Sequence, residues 1–206
     1  MRYTLRNPTH RPFDESEATL RIARAAKRVF LSSGGSKFSM RTVAVEAGMS
    51  TGALQHFYPK RDMLLAAMLE FIVNEYEQGY EQVFSRLPFN GEARLLGAVG
   101  YLSGDIWRTE TREFFFSLWA LSCHNEVAAE LMHDIYTHHL RRLAGFVGAA
   151  RPRLSEERCL QIAYQIAAMV EGFMVFTGPG TRRFTPKALP AKLIRRAVLD
   201  LLDSGR

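Results

Sequence analysis

The sequence predicts an all-α protein. Apolar residues recur at helical spacing along most of the chain, no alternating stretch is long enough for a strand, and Gly and Pro fall between the periodic segments. The chain has 206 residues, of which 47% are hydrophobic and 23% are charged. This composition is typical of a globular chain, and the length suffices to bury a core.

The first predicted helix follows a basic tail, residues 1–13. Asp14 and Glu17 have the spacing of a capping box, with Phe13 as the staple residue before them. Gly34 and Gly35 predict the end of this helix. Its apolar stripe has the i, i+3, i+4, i+7 spacing and consists of Ile22, Ala25, Ala26, Val29 and Phe30.

Two short helices come next, and together they predict a helix-turn-helix. Ser39 caps the first, whose stripe is Met40, Val43, Ala44 and Ala47, and Gly48 ends it in a left-handed conformation. Ser50 caps the second, residues 51–57, and Pro59 breaks it. The small Ala44 lets the two helices approach, and Leu54 fills the angle between them.

The remainder predicts a larger helical body. Asp62 opens a long helix with Leu65, Met68, Leu69 and Ile72 on one side. Pro88, Pro152 and Pro179 mark breaks between later helices. Five further helices are predicted at 91–107, 110–123, 125–149, 155–177 and 187–203. The predicted organisation is a mobile basic tail (1–13), a helix-turn-helix domain (14–60) and a helical body (61–206).

The net charge of +6 is unevenly distributed. Residues 1–61 carry eleven Lys or Arg against four Asp or Glu, a net +7, whereas the other 145 residues carry sixteen against seventeen, a net −1. This concentration indicates either a polyanionic partner for the first third or a bias that favours solubility. Charge alone does not separate the two.

Cysteine usage and hydropathy point to a cytoplasmic protein without membrane contact. Cys123 and Cys159 are isolated, so neither a disulfide framework nor a zinc knuckle is expected. The start of the chain lacks the apolar core of a secretory signal. The longest uncharged apolar runs, 114–125 and 159–170, are too short to span a bilayer. No cofactor or metal is predicted.

Residues 39–64 resemble the DNA-binding head of TetR-family regulators. The resemblance lies in the segment Ser-Met-Arg-x-Val-Ala, then Glu-Ala-Gly-Met-Ser-Thr-Gly-Ala-Leu, then His56 with two aromatics, Pro59 and Asp62-x-Leu64. By motif it covers about residues 14–66. The sequence departs from the family pattern at Gln55, where Tyr is frequent, and in the order Phe57-Tyr58. The resemblance implies a transcriptional regulator. Its simplest form is a repressor that binds a palindromic operator as a homodimer and is released by a small organic effector.

The second short helix is expected to enter the major groove of double-stranded DNA. Leu54 and Tyr58 should face inward, which leaves Gln55 free to pair with adenine. Basic side chains and the helix N-termini suit phosphates. The predicted DNA-binding residues are Ser39, Arg41, Thr42, Ser50, Thr51, Gly52, Ala53, Gln55, His56, Phe57, Lys60 and Arg61.

The body is predicted to provide a dimer contact and an effector pocket. The helix at 155–177 is apolar on nearly all sides and must be covered on more than one face. Its predicted interface residues, with those of the last helix, are Ile162, Ile166, Val170, Leu193, Ile194, Ala197 and Leu201. A pocket lined by aromatic residues with a few polar groups suits a small organic ligand. Glu171 is one of the polar residues that lie nearby in the sequence. The predicted pocket residues are Tyr101, Trp107, Phe115, Trp119, Cys123, His133, Met169 and Phe173.

Two other functions remain open on the sequence. An architectural or cell-division factor would use the same head without a small-molecule switch. A metal-dependent enzyme is the more remote alternative, suggested by His133, His138 and His139 with Cys123. The i, i+5, i+6 spacing of these imidazoles distributes them around a helix, which is poorly suited to a single metal ion.

Overall fold

A computed structural model of the chain describes residues 16–178, 180 and 186–203. Over these ranges it consists of helices without strands, which confirms the predicted all-α class. Each helix boundary that the sequence predicts lies within two residues of the observed boundary, except the start of α1. The helices are α1 (Glu17–Ser33), α2 (Met40–Glu46), α3 (Thr51–Phe57), α4 (Arg61–Phe84), α5 (Gly91–Asp105), α6 (Thr109–Ser122), α7 (Glu126–Ala150), α8 (Glu156–Phe176) and α9 (Leu189–Asp203).

The predicted cap of α1 is wrong. Ser16 is the N-cap, and its hydroxyl accepts a hydrogen bond from the backbone N–H of Thr19 at 3.3 Å. A serine at this position satisfies an orphan N–H group of the first turn, which is the kind of role that was predicted for Asp14. Asp14 and Phe13 lie outside the described residues. The predicted end is confirmed, because Gly34 and Gly35 have φ of 57° and 79°.

Two compact units divide the chain. The first is Met1–Glu77 with Glu113–Ile135, and the second is Gln78–Arg112 with Tyr136–Arg206. The unit boundaries therefore fall inside α4, α6 and α7. The functional boundary predicted after residue 60 stays a prediction.

The first unit is built on the apolar stripe of α1. Ile22 and Phe30 are completely buried. The ring of Phe30 lies 5.9 Å from that of Phe38 and 5.4 Å from that of Phe114 in α6, centroid to centroid. Burial of these side chains removes apolar surface from water and fixes α1 in its unit. Fully buried apolar residues of α4 in the same unit are Leu64, Leu65, Met68 and Leu69.

The second unit contains an aromatic cluster. Tyr80 and Phe84 of α4 both pack edge-on against Phe146 of α7, with centroids 5.4 and 5.2 Å apart. Tyr101 of α5 packs edge-on against Tyr80 at 5.4 Å. A Cβ atom at Gly79 would overlap the end of the Tyr101 side chain, so a larger residue there would force this ring to shift.

The apolar residues of α8 divide into a buried set and an exposed set. Ile162, Ile166 and Val170 are buried within the chain, whereas Tyr164 and Phe176 are exposed. By length and composition alone, α8 is the one helix in the described ranges that is long and apolar enough to cross a membrane. The uncharged run at 159–170 is shorter than a membrane span, so the sequence analysis did not predict that α8 is long and apolar enough to cross a membrane. Burial of one face shows that much of its apolar surface serves packing inside the chain.

Candidate nucleic-acid interface

The helix-turn-helix is formed by α2, the turn at 48–50 and α3. The Ser39 hydroxyl accepts from the N–H of Thr42 at 3.2 Å, and the Thr42 hydroxyl accepts from the N–H of Ser39 at 3.1 Å. This reciprocal capping box fixes the start of α2. Gly48 has φ 66°, and the N–H of Met49 donates to the carbonyl of Ala44 at 3.0 Å. The predicted cap and turn are confirmed.

The faces of α3 are sorted as the sequence predicts. Leu54 is fully buried and Tyr58 is 3% exposed. Thr51 and Phe57 are half-buried. Ser50 caps the helix by accepting from the N–H of Ala53 at 3.1 Å. The exposed residues of α3 are Gly52, Ala53, Gln55 and His56. The inner face therefore holds the helix in place and leaves Gln55 and His56 exposed on the outer face.

The open surface at Gly52 is a further property of α3. A Cβ atom built at this position would meet nothing within 4 Å. Because Gly52 is exposed near the start of the helix, a partner's backbone can approach the α3 backbone closely there.

The basic side chains around the two helices have different environments. Lys60 and Arg41 are exposed. Arg61 instead donates from Nε to the carbonyl of Phe38 at 3.0 Å, and its guanidinium lies 5.5 Å from the centre of the Phe38 ring. The predicted phosphate contact of Arg61 stays a prediction. The structure adds that Arg61 holds the start of α4 to the loop before α2.

Val45 is an exposed residue that the sequence reasoning missed. Its side chain is 74% exposed, and it lies one helical turn after Arg41 on α2. The signal for it was available, because Val45 does not belong to the apolar stripe of α2. Beside it, Glu46 forms an ion pair with Arg28 of α1, which ties these two helices together.

The predicted pocket residues are distributed over both units. Phe115, Trp119, Cys123 and His133 belong to the first unit, and Cys123 and His133 are exposed. The other four belong to the second unit and are half-buried: Tyr101, Trp107, Met169 and Phe173. Ligand contact by either set stays a prediction.

The predicted dimer residues are mostly core residues. Ile162, Ile166 and Ile194 have no exposed surface, and Val170 is 6% exposed. Such side chains pack within their own chain and offer nothing to a second copy. Leu193 is exposed, and Ala197 and Leu201 are half-buried. The helices expose other apolar residues that the prediction omitted: Leu160, Tyr164, Val175, Phe176 and Leu189.

Metal-ligating side chains do not cluster in the part of the chain that the structure describes. No group of three or more His, Cys, Asp or Glu there could hold a metal ion. Among the described residues, the helix-turn-helix has the geometry that is typical of nucleic-acid recognition. The fold and this site define a helix-turn-helix DNA-binding regulator.

Comparison with known proteins identifies the family. Residues 22–68 match the family of bacterial regulatory proteins known as the tetR family, and residues 92–203 match the BetI-type transcriptional repressor C-terminal family. The chain belongs to the TetR family of transcriptional regulators, with a BetI-type C-terminal region.

Individual relatives have low sequence identity to this chain, but the matches cover most of both chains. The BetI regulator of Vibrio campbellii is 22% identical over 167 residues, which cover 80% of each chain. A TetR-family regulator from Rhodococcus sp. has a TM-score of 0.75 at 18% identity, over 90% of this chain and 98% of that one. A regulator from Saccharomonospora viridis, solved in complex with choline, has a TM-score of 0.62 at 18% identity, over 92% and 97%.

Proposed function

We propose that this protein is a cytoplasmic repressor that binds a two-fold operator as a homodimer and is released by a small organic effector. The observation that carries the DNA-binding part is the sorting of α3, with Leu54 buried and Gln55 and His56 exposed. A helix docked in this way suits insertion into the major groove.

Base recognition in this proposal centres on Gln55. Its side-chain amide can donate to and accept from adenine in the major groove, and Ala53 can contact a thymine methyl group. Lys60 and Arg41 are exposed and neutralise phosphates, as the N-terminal excess of positive charge also suggests. Val45 lies one turn from Arg41 on α2 and adds an apolar contact at the edge of the groove.

The proposed dimer uses the exposed faces of α8 and α9. Leu160 and Tyr164 lie four residues apart on α8, and Val175 falls within about 60° of both around the helix axis, so the three share one exposed side. Ala168 is exposed on the same side, and a small residue permits close approach of a second helix. On α9, Leu189 and Leu193 repeat the four-residue spacing. Apolar stripes of this extent on adjoining elements support an isologous contact between two copies.

The proposed effector is a small organic molecule bound in the helical body. The BetI-type C-terminal match and the choline complex of the Saccharomonospora regulator make choline the first effector to test. An effector releases DNA only if it binds one head arrangement more tightly than the other.

Selection of bound sequences from random duplex DNA tests the proposal. The expected product is an inverted repeat whose half-sites are separated by about one helical turn or a multiple of it. Sedimentation of the free protein should show a dimer. Tyr164→Glu should shift it toward monomer, whereas Gln82→Glu, at an exposed position of α4, should not. A selected site without two-fold symmetry contradicts the homodimeric mode of binding.

The same preparation separates a switchable repressor from an architectural factor. A repressor of the proposed kind releases its selected operator when the effector is added. A protein that binds DNA, yet responds to no member of a broad panel of small molecules, is better described as an architectural factor on the same scaffold.

A further inference from the structure

Glu171 is an acidic residue in an apolar helix. From Arg158 to Leu199 it is the one Asp or Glu in the sequence. It lies on α8 within the second unit, next to the buried Val170 and close to the buried Met174. Acidic side chains are seldom placed in such surroundings without a partner.

The two oxygens of this carboxyl group differ. Tyr136 of α7, in the same unit, donates its hydroxyl to Oε1 at 3.0 Å. Oε2 has less than 1 Å² of accessible surface and no hydrogen-bond partner among the residues that the structure describes. An unsatisfied buried polar atom costs about 1–3 kcal/mol, more if it is charged. One half of the carboxyl group is therefore held in place, and the other half lacks a partner.

Internal stability does not account for a carboxylate at this position. A glutamine would accept the same hydrogen bond from Tyr136 without the cost of burying a charge. What glutamate adds is negative charge, which is useful only to a positively charged or strongly donating partner.

The titration behaviour of the group agrees with this. Burial raises the pKa of Glu171 to about 7, an effect that the hydrogen bond from Tyr136 partly offsets. At neutral pH the carboxyl group is therefore close to its own midpoint. A cation that arrives beside Oε2 can complete the ionisation at small free-energy cost.

We propose that Glu171, positioned by Tyr136, is the anchor for the positively charged group of an organic ammonium ligand. This inference rests on the proposed effector function and specifies its ligand class. Because Oε2 has no accessible surface, ligand entry requires Glu171 or its neighbours to move. That movement gives the free and liganded states the different contacts that an effector needs.

The test compares a cation with its uncharged isostere on the full chain. Choline and 3,3-dimethylbutan-1-ol have nearly the same shape and differ in charge. Titration calorimetry should show choline binding to the wild-type protein at least about tenfold more tightly than the alcohol. Glu171→Gln should lose this preference, and Tyr136→Phe should reduce it. Glu130→Gln, which alters an exposed carboxylate on α7, should retain it.

Three outcomes overturn the proposal. They are equal binding of choline and the alcohol to the wild type, an unchanged preference in Glu171→Gln, and failure of choline, tetramethylammonium and butylammonium alike to bind. Operator binding by the same preparations keeps the two proposals apart. A wild-type protein that binds its selected operator but no cation refutes the ammonium site alone, whereas one that selects no DNA refutes the proposed function.

Discussion

The ring of Phe30 in α1 lies 5.4 Å from the ring of Phe114 in α6, both within the first compact unit. Phe30 is fully buried and Phe114 is 4% exposed. The helix that supports the helix-turn-helix is thus packed directly on a helix of the C-terminal region. The contact joins residues 84 positions apart in the sequence.

Phe114→Ala should destabilise the protein by about 3–5 kcal/mol, because it removes a buried ring and leaves a cavity beside Phe30. Urea denaturation monitored by circular dichroism measures the loss. Phe89→Ala is the matched control, since Phe89 is 90% exposed, and it should change stability by no more than about 0.5 kcal/mol. Equal losses in the two variants would refute the packing argument.

Gln55→Ala should weaken binding to the selected operator by roughly 1–3 kcal/mol and leave non-specific binding unchanged. The physical reason is that the amide contacts a base rather than the phosphate backbone. Fluorescence anisotropy with operator and scrambled duplexes measures both affinities at one salt concentration. Gln82→Ala, which alters an exposed glutamine on α4, is the control and should bind as the wild type does. A parallel loss on both duplexes would assign Gln55 to the backbone instead.

Lys60→Ala and Arg61→Ala should fail in different ways although the residues are adjacent. Loss of exposed Lys60 should reduce the salt dependence of DNA binding by about one counterion without affecting stability. Loss of Arg61 leaves the buried Phe38 carbonyl without its donor and should cost about 1–3 kcal/mol of stability. Salt titrations of DNA affinity and urea unfolding, run on both variants, measure the two effects. Identical behaviour of the two variants would contradict the assignment.

Gly48→Ala should destabilise the head by about 1–2 kcal/mol. A Cβ atom at this position meets nothing within 4 Å, so the cost comes from the left-handed backbone with φ 66° rather than from a clash. Gly48→Asn should cost less, because asparagine tolerates this conformation better. Gly52→Ala, in α3 and equally uncrowded, should be neutral or stabilising. Thermal unfolding of the three variants provides the ranking, and a Gly52 loss as large as that of Gly48→Ala would contradict it.

The stability of the protein should depend on the ionisation of Glu171. The folded-state pKa is about 7 and the ordinary value is 4.5. Stability that is fully present below pH 4.5 is therefore lost as pH rises toward and through 7. The loss is on the order of 3 kcal/mol.

Glu171→Gln removes this ionisation, so its advantage in stability over the wild type should grow between pH 5 and pH 8. Urea unfolding at the two pH values measures the difference. Glu130→Gln, which removes an exposed carboxylate, should show no such growth. A constant difference between wild type and Glu171→Gln across this range would contradict the raised pKa.

The local signals in the sequence determined the helices and the helix-turn-helix. Ser39, Gly48 and Ser50 act through their own backbone and the next turn, so their roles were predictable without knowing any distant contact. The periodic stripe of α3 likewise placed Leu54 inside and Gln55 outside. Short-range hydrogen bonding and the 3.6-residue period suffice for predictions of this kind.

Only the tertiary structure decided how apolar surface is shared between core and exterior. Composition marks α8 as apolar all round, but packing assigns Ile162 and Ile166 to the core and leaves Tyr164 exposed. In the same way, nothing near Glu171 in the sequence reveals that Tyr136, 35 residues earlier, partners one of its oxygens and leaves the other unsatisfied. Burial and partnership depend on which helices pack together, and residues within one helix do not carry that information.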